Sequence, residues 1–257
     1  MHYCTQGGNN VTILNERANT KKIIYLSKAI NSRSESISYL NKIYITGGIP
    51  ASDEVYELDV ATELLTAKEK MLTKKFWHGL CIAANDIYSI GGQSNANQLN
   101  FFSDCQKYSI TANKWTGLPD LLTPRDACAV FSLNEKEVYA FGGLSYTGNL
   151  DSIERINVHA PTKWEYICVS NIISGRYHLQ AIQIGVWDVM VFGGNVKNTY
   201  RLSLDKNICM PCEMLPIEGG FSFTAPMYDG ECIYAVYFNK NVHSYSINSK
   251  KWSIIQL

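Results

Sequence analysis

The chain of 257 residues has little that would commit it to a membrane, to nucleic acid or to disorder. No apolar run approaches the 18 residues that a membrane-spanning helix needs. Lys plus Arg and Asp plus Glu number 23 each, so there is no net charge to hold nucleic acid or an anionic membrane by bulk electrostatics. The opening Met1-His2-Tyr3-Cys4-Thr5-Gln6 carries neither the basic nor the apolar stretch of a secretory signal. A reducing, cytoplasmic setting is therefore expected, and the eight cysteines are read as small buried thiols rather than disulfides. Prolines number only seven, and no helical period persists. With 46 % hydrophobic residues and 12 % aromatics, the chain has ample material for a folded core.

A repeat fills this frame. Glycine pairs stand at Gly7-Gly8, Gly47-Gly48, Gly91-Gly92, Gly142-Gly143 and Gly193-Gly194. The last four each follow a short apolar run, such as Ile87-Tyr88-Ser89-Ile90 or Val138-Tyr139-Ala140-Phe141. A sixth run, Ile233-Tyr234-Ala235-Val236, arrives on schedule with Tyr237-Phe238 in place of glycines. After each pair comes a strand, a turn and a second strand, as in Lys107 to Trp115 and Tyr245 to Trp252. Another alternating strand, such as Ala127 to Phe131, leads to the next pair. Each unit thus carries four short strands.

These features resemble the kelch repeat, most clearly over residues 105–143. There Asn113-Lys114-Trp115, Thr123-Pro124-Arg125 and Val138-Tyr139-Ala140-Phe141-Gly142-Gly143 follow in order. The resemblance implies an all-β, six-bladed kelch β-propeller. One domain is expected over 1–257, with blades near 1–26, 36–66, 76–116, 127–168, 178–210 and 221–257. With strands a to d counted outward from the axis, each glycine pair ends strand b. The first blade then lacks its innermost strand, as expected of a piece of a longer polypeptide.

Strand direction puts the b–c and d–a loops on one face, and the b–c loops vary in length, as binding loops do. A basic residue precedes strand a in four units: Arg33, Lys75, Arg125 and Arg176, at 14 to 17 residues before the glycine pair. The resemblance implies that such residues either ring the axial mouth and grip an acidic peptide, as in adaptor-type members, or pair with neighbouring loops. Phe101, Phe102 and Tyr146 in the long loops are candidate apolar anchors.

Catalytic motifs are scarce. Cys209-Met210-Pro211-Cys212 has half the spacing of a zinc site and no second half, so it is read as a connecting loop, with no metal and no cofactor. His78 and His178 begin strand a and are read as structural. No nucleophile elbow, phosphate loop or zinc-protease motif occurs. Glu35 and Asp126 are the carboxylates nearest a mouth expected to be basic. The expected function is a non-catalytic protein-interaction module, with a protein partner such as an acidic segment, and no nucleic acid or membrane. The substrate-recognition part of a larger adaptor fits this reading. The alternatives are a kelch-type enzyme acting on a carbohydrate at the axial mouth (an oxidase or a sialic acid isomerase) and an actin-binding cytoskeletal scaffold.

Overall fold

The computed structural model describes residues 2–4, 8–15, 20–95, 100–169, 177–194, 196–216, 225–236 and 242–255. Among the described residues the regular structure is all β, in six successive antiparallel sheets.

The first sheet has three strands, β1 (His2–Cys4), β2 (Gly8–Asn15) and β3 (Thr20–Ile30), in that order. The second runs β4 (Glu35–Tyr39), β5 (Lys42–Thr46), β6 (Val55–Asp59) and β7 (Leu65–Ala67). The third is β8 (Gly79–Ala83), β9 (Asp86–Ile90), β10 (Cys105–Ser109) and β11 (Lys114–Leu118). The fourth begins with β12 (Ala129–Leu133) and β13 (Glu137–Phe141). A separate hairpin, β14 (Leu144–Ser145) and β15 (Gly148–Asn149), precedes its outer strands β16 (Ile153–Asn157) and β17 (Glu165–Ile167). The fifth is β18 (Leu179–Gln183), β19 (Asp188–Gly193), β20 (Tyr200–Ser203) and β21 (Ile208–Pro211). The sixth is β22 (Met227–Tyr228), β23 (Cys232–Val236), β24 (Val242–Ser246) and β25 (Lys251–Ile255).

Five sheets therefore have four strands, and their first strands line a common axis. β4 lies beside β8, β8 beside β12, β12 beside β18, and β18 beside β22. The ring closes where the Ala225 N–H donates to the Ser36 carbonyl at 3.0 Å. The fold is thus a ring of five blades, one fewer than the repeat count suggests. The first sheet packs on the second through Val11, Ile13, Ile24 and Leu26 against Ile43, Ile45 and Leu58.

The core explains the ring. Each apolar cluster lies between neighbouring sheets, because strand alternation gives a sheet two faces and one sheet cannot bury both. Trp115 and Trp164 fill two of these layers at 3 % and 2 % exposure. Each removes apolar area worth about 4 kcal/mol of transfer free energy. Cys81, Cys105, Cys128 and Cys209 are buried free thiols, but Cys168 is exposed and Cys212 and Cys232 half-buried. The reading of the cysteines as uniformly buried is corrected accordingly. Cys209, Met210 and Pro211 lie in β21 rather than in a connecting loop, because Cys209 faces Leu202 in the ladder.

Candidate functional site

The b–c and d–a loops meet on one face and are stitched together through the glycine pairs. Gly91 and Gly92 have φ of 64° and 105°, and the Gly92 N–H donates to the Arg125 carbonyl of the next blade at 2.9 Å. A Cβ on Gly91 would lie 2.3 Å from that carbonyl oxygen. The same device joins Gly48 to the Lys75 carbonyl at 3.1 Å.

This close approach carries the Arg125 side chain inward. Arg125 is fully buried. Its guanidinium donates to the Gly142 carbonyl at 2.9 Å, the Ser152 carbonyl at 3.2 Å and the Ser152 hydroxyl at 3.1 Å, and pairs with Glu154 at 2.5 Å. Glu154 also accepts the backbone N–H groups of Leu122 and Thr123. Lys75 is likewise fully buried, with its ammonium 2.7 Å from Asp104. Neither cation can touch a partner, so the expected basic ring is corrected at both positions. They clamp a d–a loop to the following blade. Arg176 lies outside the described residues.

Arg33 differs. Strand a starts two residues after Arg33 but four residues after Lys75 and Arg125. The structural counterparts of Arg33 are Trp77, Ala127 and His178, all left-handed, with φ of 54°, 54°, 46° and 57° in chain order. The His178 N–H donates to the Ala127 carbonyl and the Ala127 N–H to the Trp77 carbonyl, both at 2.8 Å, which forms a belt at the mouth. The Arg33 guanidinium is exposed and lies 4.9 Å from the Trp77 ring centre. The same ring meets His178 edge to face at 5.4 Å. Trp77 was not singled out from the sequence; aligning the units on strand a rather than on the glycines would have found it.

Beneath the belt is a small axial cavity of about 40 Å³, lined by Glu35, His78, His178 and Gln180. It has room for about three waters. Burial pushes the Glu35 carboxyl well above its ordinary range. Burial, with Arg33 beside it, lowers His178 to about 4. Burial, with Lys75 beside it, holds His78 well below its usual value, and His78 Nε2 meets Thr46 Oγ1 at 2.7 Å. His78 and His178 are therefore neutral near pH 7, and with Lys75 and Arg125 buried in ion pairs the mouth is not the basic funnel expected of four cations. Asp126, 1 % exposed, accepts a hydrogen bond from Gln93 at 2.7 Å, and burial raises its carboxyl to about 7. Among the described residues no group of three or more His, Cys, Asp or Glu is placed to hold a metal.

The aromatic candidates also separate. Phe101 is 4 % exposed, whereas Tyr146, at the tip of the β14–β15 hairpin, is 58 % exposed. Their rings meet edge to face at 5.1 Å. Phe102 is half-buried and its N–H donates to the Gly92 carbonyl.

The kelch motif matches residues 78–122, which span the third sheet and the glycine pair at its centre. The chain belongs to the kelch-repeat β-propellers. Kelch-like protein 36 of Bos taurus is 28 % identical over 116 residues, 42 % of this chain and 19 % of that protein. Alpha-scruin of Limulus polyphemus is 29 % identical over 199 residues, 68 % of this chain and 21 % of that protein. Kelch repeat and BTB domain-containing protein 2 of cowpox virus (strain GRI-90 / Grishak) is 25 % identical over 121 residues, 46 % of this chain and 21 % of that protein. The kelch chain thus matches about a fifth of the length of these distant relatives.

Proposed function

We propose that this kelch chain is a non-catalytic protein-interaction module that holds a partner segment on the b–c/d–a loop face. The observation that supports it is Tyr146, an exposed aromatic ring whose orientation is set by the buried Phe101. A ring fixed before binding loses little entropy on contact and offers a large apolar area. Arg33, laid over Trp77, supplies a guanidinium for a carboxylate, which favours an acidic peptide segment. A place in a cytoplasmic adaptor, suggested by the kelch-like relatives, belongs to the same proposal, as does a reading of the first sheet as a sixth blade without its innermost strand.

The experiment is a lysate pull-down with wild type, Tyr146→Ala and Arg33→Glu at matched thermal stability, with retained proteins identified by mass spectrometry. Partners lost from both variants support the reading; identical sets from all three baits overturn it. A second reading, an enzyme acting on a carbohydrate, is favoured by Glu35 in the axial cavity, whose carboxyl burial raises in the direction that general acid work requires. It predicts glycan turnover that Glu35→Gln abolishes.

A further inference from the structure

Neighbouring blades are welded by a repeated device. In the third sheet the Asn113 side-chain oxygen accepts the Tyr108 hydroxyl at 2.7 Å and the Glu69 N–H of the preceding blade at 3.0 Å. The Trp115 indole donates to the Glu69 carbonyl at 3.0 Å. In the fourth sheet the Trp164 indole donates to Pro119, the register counterpart of Glu69, at 2.9 Å. The gap between those blades is filled.

The sixth sheet departs from this pattern. Tyr245 and Trp252 pair across the ladder as Tyr108 and Trp115 do. The position of Asn113 is taken by Lys250, which keeps the left-handed backbone, with φ of 57° against 49°, but has no acceptor. The counterpart carbonyl is that of Glu213, yet the Trp252 indole donates to Thr199 Oγ1 at 3.2 Å, and Trp252 is only half-buried. Tyr245 lies beside Cys212 instead. A cavity of about 390 Å³ opens between the fifth and sixth sheets.

Its lining is amphipathic. Ile184, Met190 and Ile247 form an apolar wall, and Arg201 and Lys250 stand at the polar end with Cys212. Burial raises the Cys212 thiol above its ordinary range, and the charges of Arg201 and Lys250 offset this only in part. Arg201 is held in place by Asp188 at 2.6 Å, whereas Lys250 makes no ion pair among the described residues. Glu213 is the one carboxylate in the lining, is exposed, and acts on Tyr245.

We infer that this inter-blade cavity is a binding site for a small amphipathic carboxylate, with its anionic end between Arg201 and Lys250 and its apolar tail against Met190 and Ile247. The volume suits a fragment-sized ligand. The site lies apart from the loop face and does not depend on the role assigned to that face.

The test uses octanoate, titrated by calorimetry into wild type and Lys250→Asn. Wild type binds octanoate, and octanol binds about tenfold more weakly, since it lacks the charge-assisted contact. Lys250→Asn restores the bridging acceptor, closes the gap and loses octanoate binding. In unaltered protein, octanoate slows alkylation of Cys212 by iodoacetamide while the exposed Cys168 reacts at its usual rate. Absence of octanoate binding to wild type, equal affinity for octanol, full binding by a folded Lys250→Asn, or unprotected Cys212 would each overturn the inference. Should Lys250→Asn fail to fold, the octanol comparison and the alkylation rates decide the matter in wild type.

Discussion

Arg125 and Glu154 form an ion pair 2.5 Å long with both side chains fully buried, joining a d–a loop to the strand of the following blade. Removing one partner leaves a buried charge uncompensated, which costs about 3–5 kcal/mol. Arg125→Met is therefore expected to lower stability by that order in urea unfolding. Arg125→Lys should fare little better, since an ammonium cannot reach the Gly142 and Ser152 acceptors together. An Arg125→Met protein as stable as wild type would contradict the structural role. Charge reversal at Arg125 is a poor probe of partner binding for the same reason.

Gly91 and Gly230 both have positive φ, at 64° and 97°, but different surroundings. A Cβ at Gly91 meets the Arg125 carbonyl oxygen at 2.3 Å, whereas one at Gly230 meets nothing within 4 Å. Gly230→Ala bears only backbone strain, about 1–2 kcal/mol. Gly91→Ala adds a clash with backbone that cannot yield without breaking the Gly92–Arg125 hydrogen bond. Its loss of thermal stability should be at least twice that of Gly230→Ala. Equal losses would mean that conformation alone, and not close approach, demands glycine in the pairs.

Asn113 serves two donors from one oxygen while holding a left-handed backbone. Asn113→Ala takes the acceptor from the Tyr108 hydroxyl and from the exposed Glu69 N–H, at about 0.5–1.5 kcal/mol each. Asn113→Asp keeps the acceptor and should retain most of the stability. If alanine and aspartate are equally harmful by thermal denaturation, the bridge between blades is not what Asn113 contributes.

The repeat was legible because most of its signals are residue types that few others can replace. Glycine pairs mark positive φ and backbone contact, and Trp115 and Trp164 mark the inter-blade layers. The mouth was misread because a basic residue anywhere from 14 to 17 positions before the glycines was taken as equivalent. The ladder pairs Glu35 with Thr46 and Gly79 with Ile90 over the same separation, so Arg33 and Lys75 are two positions out of register with each other. Burial of Arg125 depends on Glu154, a strand residue 29 positions away that no local pattern connects to it. Closure of the ring over five blades was not legible, since the Ala225–Ser36 bond joins segments with no shared motif. The inter-blade cavity was equally invisible: Lys250 reads as an ordinary turn residue until Asn113 shows what that position does elsewhere.

Asp126 ties stability to pH. It is 1 % exposed, one carboxylate oxygen accepts the Gln93 amide, the other has no partner, and burial raises its carboxyl from 3.8 to about 7. Between these values the folded state holds a proton that the unfolded chain has released. Stability from this group therefore falls as pH rises from about 4 to about 7 and is flat above. His178, lowered to about 4, acts in the opposite sense below its ordinary value, and Glu35 acts in the same sense as Asp126, so wild type alone does not isolate the effect. Asp126→Asn does, because its side-chain oxygen still accepts from Gln93 but cannot ionise. In urea unfolding the variant should match or slightly trail wild type near pH 4. It should gain on wild type through pH 7 and lead by roughly 2–4 kcal/mol at pH 8. A difference between the two proteins that stays constant from pH 4 to pH 8 would show that Asp126 ionises in the folded chain as freely as in water.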